Sequence, residues 1–237
     1  MAKNNNIITA LLLLFGIAVF TASITSCGKS AASVAGLNIE YQIINLSPDL
    51  YPVNLFVDYK LVNNSTPFTF EVNQGYFYVP SVDTPYQIRS ALGSQAPIFN
   101  RDDILTSGAK YSLFITGSFG NNQLNEIFTV DTSTTPTVGR GKIRFLNASP
   151  TELGGLDLTA NGTSAFTKIT YPNYSGFIEI PVGNYDFKIN ETNGSGATIK
   201  DLPGITIQDG RLYTIYAFGY TTRTDSAEFN AAVITNK

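Results

Sequence analysis

The chain has 237 residues, 43% of them hydrophobic, with 15 Lys and Arg against 18 Asp and Glu for a formal charge of −3. It contains no His and no Trp, one Cys and one Met. This excludes Ser-His-Asp and Cys-His catalytic arrangements, His-based zinc sites, Cys-based metal clusters and intrachain disulfides. A weakly acidic chain with scattered charges also lacks the electrostatic footprint of a nucleic-acid binder, so no nucleic-acid partner is expected.

At the N-terminus, Lys3 precedes an uncharged apolar run from Ile7 to Phe20. The run is shorter than the ~20 residues of a spanning helix and reads as the core of a signal peptide. Thr21-Ala22-Ser23-Ile24-Thr25-Ser26 then leads into the only cysteine, Cys27. Small residues before a lone cysteine resemble the lipobox of bacterial lipoproteins, in the looser form common among Bacteroidetes. The resemblance implies a signal peptide over residues 1–26, cleavage before Cys27 and diacylglycerol on its sulfur. The membrane is then a partner through that anchor. The small and polar residues of segment 27–38 read as a flexible tether. No acidic cluster follows Cys27, which favours the periplasmic face of the outer membrane over the cell surface.

Beyond the tether the chain repeats itself. Ile43-Ile44-Asn45-Leu46-Ser47-Pro48 matches Phe145-Leu146-Asn147-Ala148-Ser149-Pro150 at an offset of 102 residues. Val53–Asp58 matches Leu156–Asn161, Tyr76–Pro80 matches Phe177–Pro181, and Tyr86-Gln87-Ile88 matches Tyr185-Asp186-Phe187. Gly108–Gly117 matches Gly210–Gly219, again at 102. A period near 100 residues signals tandem domains, since solenoid repeats are much shorter.

Within each copy, Leu156-Asp157-Leu158 and Phe187-Lys188-Ile189 alternate as half-buried strands do. The aromatic and β-branched segments Tyr111–Ile115 and Tyr213–Phe218 fit central strands. Asn161-Gly162, Gly183-Asn184 and Asn193-Gly194 supply turn chemistry. No segment beyond the signal keeps a helical period. The expectation is an all-β protein of two tandem Ig-like or transthyretin-like β-sandwich domains, over 39–131 and 141–237, joined by a linker over 132–140.

No catalytic, metal-binding or cofactor-binding residues are expected. There is no nucleophile elbow and no phosphate loop. Asp102-Asp103 lacks the spacing of a calcium loop, and nothing selects a catalytic pair from Glu126, Glu179, Asp186 and Glu191. Arg140, Lys142 and Arg144 alternate and so share a strand face, read here as solvated. Gly108 and Gly210 are placed at turns of unusual φ. Tyr111 and Tyr213 are expected to bury their rings and bond the hydroxyl to backbone, as in the tyrosine corner of sandwich domains. Tyr76 and Tyr78 are candidates for stacking a sugar or peptide.

The order Asn-(Leu/Ala)-Ser-Pro, a short strand, a strand ending in (Val/Ile)-Pro, and Gly-(Lys/Arg)-x-Tyr-(Ser/Thr) resembles the bacterial domain-of-unknown-function family numbered 4397. Ser149-Pro150, Val182-Gly183-Asn184-Tyr185 and Gly210-Arg211-Leu212-Tyr213-Thr214 carry the likeness best. In the first copy Ser81–Tyr86 departs from the Gly-x-Tyr turn. The resemblance covers about residues 40–237 and implies an envelope β-sandwich without an established activity. Asp225-Ser226-Ala227 resembles the O-glycosylation acceptor of Bacteroidetes envelope proteins, with Ser226 as acceptor. Together these readings give a non-catalytic, lipid-anchored envelope protein with a structural or binding role and a protein or glycan partner. The alternatives are a fimbrial-type adhesin subunit, processed at a basic residue such as Arg140, or a glycan-binding accessory lipoprotein.

Overall fold

The β-branched and aromatic segments alternate with turn residues along the chain, and they fold as strands throughout. The computed structural model describes residues 37–63, 66–93, 96–192 and 197–236. The expected signal peptide, the lipidation residue Cys27, the tether up to residue 36 and the Asn193-Gly194 turn lie outside the described residues. No helix occurs among the described residues, which are all-β.

The first domain comprises β1 (Asn38–Asn45), β2 (Val53–Val57), β3 (Lys60–Leu61), β4 (Phe77–Pro80), β5 (Tyr86–Ser90), β6 (Pro97–Arg101), β7 (Lys110–Ser118) and β8 (Gln123–Val130). They form two four-stranded sheets, ordered β4-β1-β7-β8 and β3-β2-β5-β6. The second domain comprises β9 (Arg140–Ala148), β10 (Leu156–Ala160), β11 (Thr163–Ile169), β12 (Asn173–Tyr174), β13 (Ile178–Pro181), β14 (Gly183–Glu191), β15 (Thr198–Ile207), β16 (Leu212–Phe218) and β17 (Asn230–Thr235). Its sheets are ordered β12-β9-β16-β17, with β13 also on β9, and β11-β10-β14-β15. The copies share one unusual pairing. The first strand lies parallel to the penultimate one, with Tyr41 opposite Tyr111 and Ile143 opposite Tyr213, while the other ladders are antiparallel. A parallel pair needs a long crossover, which the whole opposite sheet supplies in each domain.

The repeated motifs are folding devices. The side-chain oxygen of Asn45 accepts the N–H of Ser47, and that of Asn147 accepts the N–H of Ser149, each at 3.0 Å. This Asx turn ends the first strand and starts the crossover. Tyr111 and Tyr213 are buried, and their hydroxyls accept the backbone N–H of Thr106 and Gln208, each at 3.0 Å, as expected of tyrosine corners. Gly108 and Gly210 adopt φ of 76° and 71° at the entry to those strands. The hydroxyls of Tyr86 and Tyr185 donate to the carbonyls of Pro80 and Pro181, closing the end of the preceding strand. Asn161-Gly162 forms a turn with φ of 48° and 79°. Gly183-Asn184 supplies turn chemistry but instead opens β14, because the chain leaves β13 through Val182 alone.

Each domain buries one core between its two sheets. Ile39, Tyr41, Ile43, Leu55, Ile88 and Leu113 represent the first, and Ile143, Phe145, Leu158, Phe187, Ile189 and Ile215 the second. A third cluster joins the domains. Ile44, Leu46, Phe114 and Ile127 of the first domain pack on Leu146, Ala148, Tyr216, Phe218 and Ile234 of the second. The molecule therefore stacks four sheets, and the two inner sheets are buried on both faces. This explains why β7 and β16 read as unbroken runs: every residue from Tyr111 to Gly117 and from Leu212 to Phe218 is buried.

Candidate functional site: the seam between the domains

The seam between the inner sheets has three zones along the strands. In the middle lies the apolar cluster, where the rings of Phe114 and Tyr216 meet at 5.4 Å and the Thr116 hydroxyl donates to the carbonyl of Ala148 at 2.5 Å. Burial pushes the Tyr216 hydroxyl up to about 12. At the end where β1 and β9 begin, polar side chains replace apolar ones. Gln42 and Ser112 project there from the first domain, and Arg144 and Thr214 from the second. The ends of the last strands add Asp131 and Asn236.

These six are pairwise equivalent in the repeat. Gln42 corresponds to Arg144, Ser112 to Thr214, and Asp131, just beyond the Tyr111–Val130 pair, to Asn236, just beyond the Tyr213–Thr235 pair. They form one network. The Arg144 guanidinium is 1% exposed and pairs with the fully buried Asp131 carboxylate. It also donates to Thr214 at 2.7 Å, to Thr129 at 3.0 Å and to the carbonyl of Val130 at 3.0 Å, and it lies 4.7 Å over the ring of Phe177. The Asp131 carboxylate further accepts Ser112 at 2.5 Å, Thr129 at 2.8 Å and the hydroxyl of Tyr76 at 2.7 Å. Asn236 donates to Tyr76 at 2.8 Å and accepts Thr214 at 2.7 Å, which closes the ring. Burial, then the Asp131 charge, raises the Tyr76 hydroxyl well above the usual phenol range.

This network corrects the reading of the basic strand. Arg140 is exposed, but Lys142 and Arg144 are buried under the first domain and the connecting segment. The Lys142 ammonium donates to the hydroxyl and carbonyl of Thr134 at 2.6 and 2.9 Å. With the bond from the Lys110 N–H to Thr132 and that from the Gly139 N–H to Asp209, it pins the connection to both domains. The physical reason is that alternation shows which residues share a face, not whether another sheet covers it.

The candidate side chains fall apart in space. Phe77 points into the first core, while Tyr76 turns its hydroxyl into the network with the Lys110 ammonium 4.9 Å from its ring. Tyr78, 75% exposed, is left without Tyr76 as a companion platform. Ser226 is exposed in the loop before β17, where the neighbouring Asp225 carboxylate pairs with Arg223 and accepts the N–H of Ala227. Asp103 pairs with Arg101 at 3.0 Å, and Arg101 reaches Glu126 at 3.0 Å while stacking on Phe128. Glu179 faces Lys142 and Asp186 accepts the N–H of Gly204, so the four carboxylates considered for catalysis are not assembled. Among the described residues no three metal-ligating side chains cluster.

At the opposite end of the seam, beyond Phe114 and Tyr216, the sheets diverge into an open cleft of about 460 Å³. Its walls are the β7–β8 hairpin of the first domain and the 150–153, Tyr171 and Tyr220 segments of the second. Asp49, which follows the Ser47-Pro48 turn, holds that hairpin. Its carboxylate accepts the hydroxyls of Ser47 and Ser118 and the N–H groups of Phe119 and Gly120. Partial burial raises this carboxyl, but the four hydrogen bonds together outweigh burial and hold it at about 2. In the second copy Thr151 takes the place of Asp49 and accepts the N–H of Thr221 at 3.1 Å. Asn125 donates to the Tyr171 hydroxyl at 3.0 Å and ties the two walls together.

The Arg144–Asp131 network, a latch between the domains, and the cleft are both absent from the sites expected from the sequence, where Arg144 and Tyr76 carry other roles. A signal for the latch was present, since Gln42, Ser112, Arg144 and Thr214 are polar interruptions of strongly apolar strands at matching repeat positions. The cleft left no comparable signal, because its residues are ordinary turn and loop types. In comparison with known proteins, the sequence model of a family described as a domain of unknown function, DUF4397, matches residues 40–153 and again 151–237. A comparison with curated proteins finds no match.

Proposed function

The chain belongs to the DUF4397 family, carried as two tandem domains, and from that premise we propose a non-catalytic, lipid-anchored cell-envelope protein whose sandwiches act as one rigid binding or structural unit. The observation that carries this reading is the Arg144–Asp131 latch. The buried ionisable groups of the seam are spent on joining the domains, with their donors and acceptors turned toward one another. Asp131 and Asn236 also line a small pocket of about 170 Å³. The Asp131 carboxylate is already taken up by Arg144, Ser112, Thr129 and Tyr76, whereas a reaction centre keeps such a group free for a substrate. A rigid pair of sandwiches suits a part that must hold a surface at a fixed distance from its anchor.

The anchor belongs to the proposal. Cys27 after a short apolar run and small residues supports cleavage behind residue 26 and acylation of the sulfur. Outer-membrane placement follows, with the periplasmic face favoured by the lack of an acidic cluster after Cys27. Metabolic labelling with a clickable palmitate analogue tests it directly: label is expected on the wild type and lost in Cys27→Ala, and unlabelled wild type overturns it. Screening the full chain against glycoside, ester and peptide substrates tests the non-catalytic role. Turnover that a single substitution abolishes without unfolding the protein would sink that role.

A further inference from the structure

We propose that the cleft at the open end of the seam binds a neutral oligosaccharide, with one wall from each domain. The assignment rests on the non-catalytic binding role proposed above and names its ligand class. The cleft's volume of about 460 Å³ lies within the range of small-molecule sites, which favour domain boundaries.

The lining chemistry selects the ligand. The hairpin wall presents the side-chain amides of Asn121, Asn122 and Gln123, and among the described residues none of these amides has a hydrogen-bond partner. The facing wall presents Tyr171 and Tyr220 with Pro150 and Leu153. An amide offers donors and an acceptor on one group, which matches sugar hydroxyls that both give and take. Tyrosine offers a flat apolar face with a polar tip, suited to the C–H face of a pyranose. No residue lining the cleft carries a charge. The nearby Asp49 carboxylate is occupied by its four hydrogen bonds. The Arg223 guanidinium lies 5.9 Å from the Tyr220 ring but is paired with the Asp225 carboxylate. A phosphate, a sulfated chain or a charged peptide therefore finds no unpaired counter-charge on the cleft walls, whereas a neutral polyol finds matched partners.

The walls are also held in place before any ligand arrives. Asp49 fixes the hairpin, Asn125 holds the Tyr171 hydroxyl, and the Asx turn at Asn147 sets Pro150. The Tyr220 N–H donates to the carbonyl of Ala227. Preorganised walls lower the ordering cost that weak polar binding must overcome.

The test uses the full chain in a non-glycosidic detergent, with cellohexaose, maltohexaose and chitohexaose as probes, read by saturation-transfer NMR and calorimetry. At least one probe is expected to bind. Tyr220→Ala, and separately Asn121→Ala with Gln123→Ala, should each weaken that binding tenfold or more at an unchanged melting temperature. These side chains are exposed or half-buried, so the fold should survive their loss. Failure of all three probes, or binding that neither variant weakens, overturns the proposal. So does preference for a sulfated hexasaccharide or an uncharged extended peptide. The same samples are checked for shortened probe: cleavage would sink the non-catalytic reading, whereas intact probe without binding sinks only the saccharide assignment.

Discussion

Arg144 and Asp131 show how costly a single residue can be when it lies between two sheets. A buried ion pair adds little net stability compared with well-packed apolar residues, but removing one partner strands the other charge and typically costs about 3–5 kcal/mol. Arg144→Met is therefore expected to lower the unfolding free energy by about that amount in urea titration. Arg144→Met with Asp131→Leu should recover a large part of the loss, and a double variant no more stable than the single one would contradict the pairing. Asp49 contributes at the surface. Its carboxyl is held at about 2, below its usual value of 3.8, by hydrogen bonds to the ionised form. Their contribution is thus fully present above about pH 4 and fades as pH falls through about 2. After allowance for solvent screening it is on the order of 1 kcal/mol. Acid titration of Asp49→Asn should show a shallower stability loss between pH 4 and 2 than the wild type.

At the scale of strands, the tyrosine corners fasten the parallel β1–β7 and β9–β16 pairs to the loops that feed them. Tyr213→Phe leaves the N–H of Gln208 without its acceptor in a partly buried site. Loss of an acceptor there typically costs about 1–3 kcal/mol, and a like effect is expected for Tyr111→Phe through Thr106. Equal losses in both copies, measured by chemical denaturation, are the expected outcome, since the geometry is repeated at 3.0 Å in each. The two inner sheets also carry a pairing code. A contact between two first-domain faces would bring together two Asp131 carboxylates, and one between two second-domain faces two Arg144 guanidinia. Only the first-to-second arrangement places one opposite the other, and like charges buried without a partner are costly. The substitution of Gln42 by Arg144, and of Asp131 by Asn236, between otherwise matching positions makes a symmetric face selective.

For the whole molecule, the seam decides whether the two sandwiches move separately. Domains joined only by a short linker are expected to move relative to each other unless their interface is large and apolar. Here the third cluster supplies apolar side chains, each worth about 1.5–3 kcal/mol when a large one is fully buried. The latch then fixes their register, and the connecting segment is pinned on both sides. The protein is therefore expected to unfold in one calorimetric transition with matching calorimetric and van't Hoff enthalpies. Phe114→Ala, which empties the middle of the seam, should lower the midpoint and split this transition into two. Two transitions in the wild type would mean that the seam does not couple the domains.

Local chemistry alone determined much of this protein. The Asx turns at Asn45 and Asn147, the positive-φ glycines before β7 and β16, the tyrosine corners and the all-β class follow from residues close in sequence. Their geometry depends on near neighbours, and the repeat displays each of them twice. The docking of the domains was decided only in three dimensions. Arg140, Lys142 and Arg144 share a face by period alone, yet two of the three are buried, because the first domain and the connecting segment cover that face. The same holds for Tyr76, whose partners Asp131 and Asn236 lie far along the chain. The open cleft is likewise built from the end of one hairpin and loops of the other domain. A strand's period reports which side chains share a face. What lies against that face is set by contacts between distant segments, and here those contacts turned two repeated sandwiches into one body with a cleft at its seam.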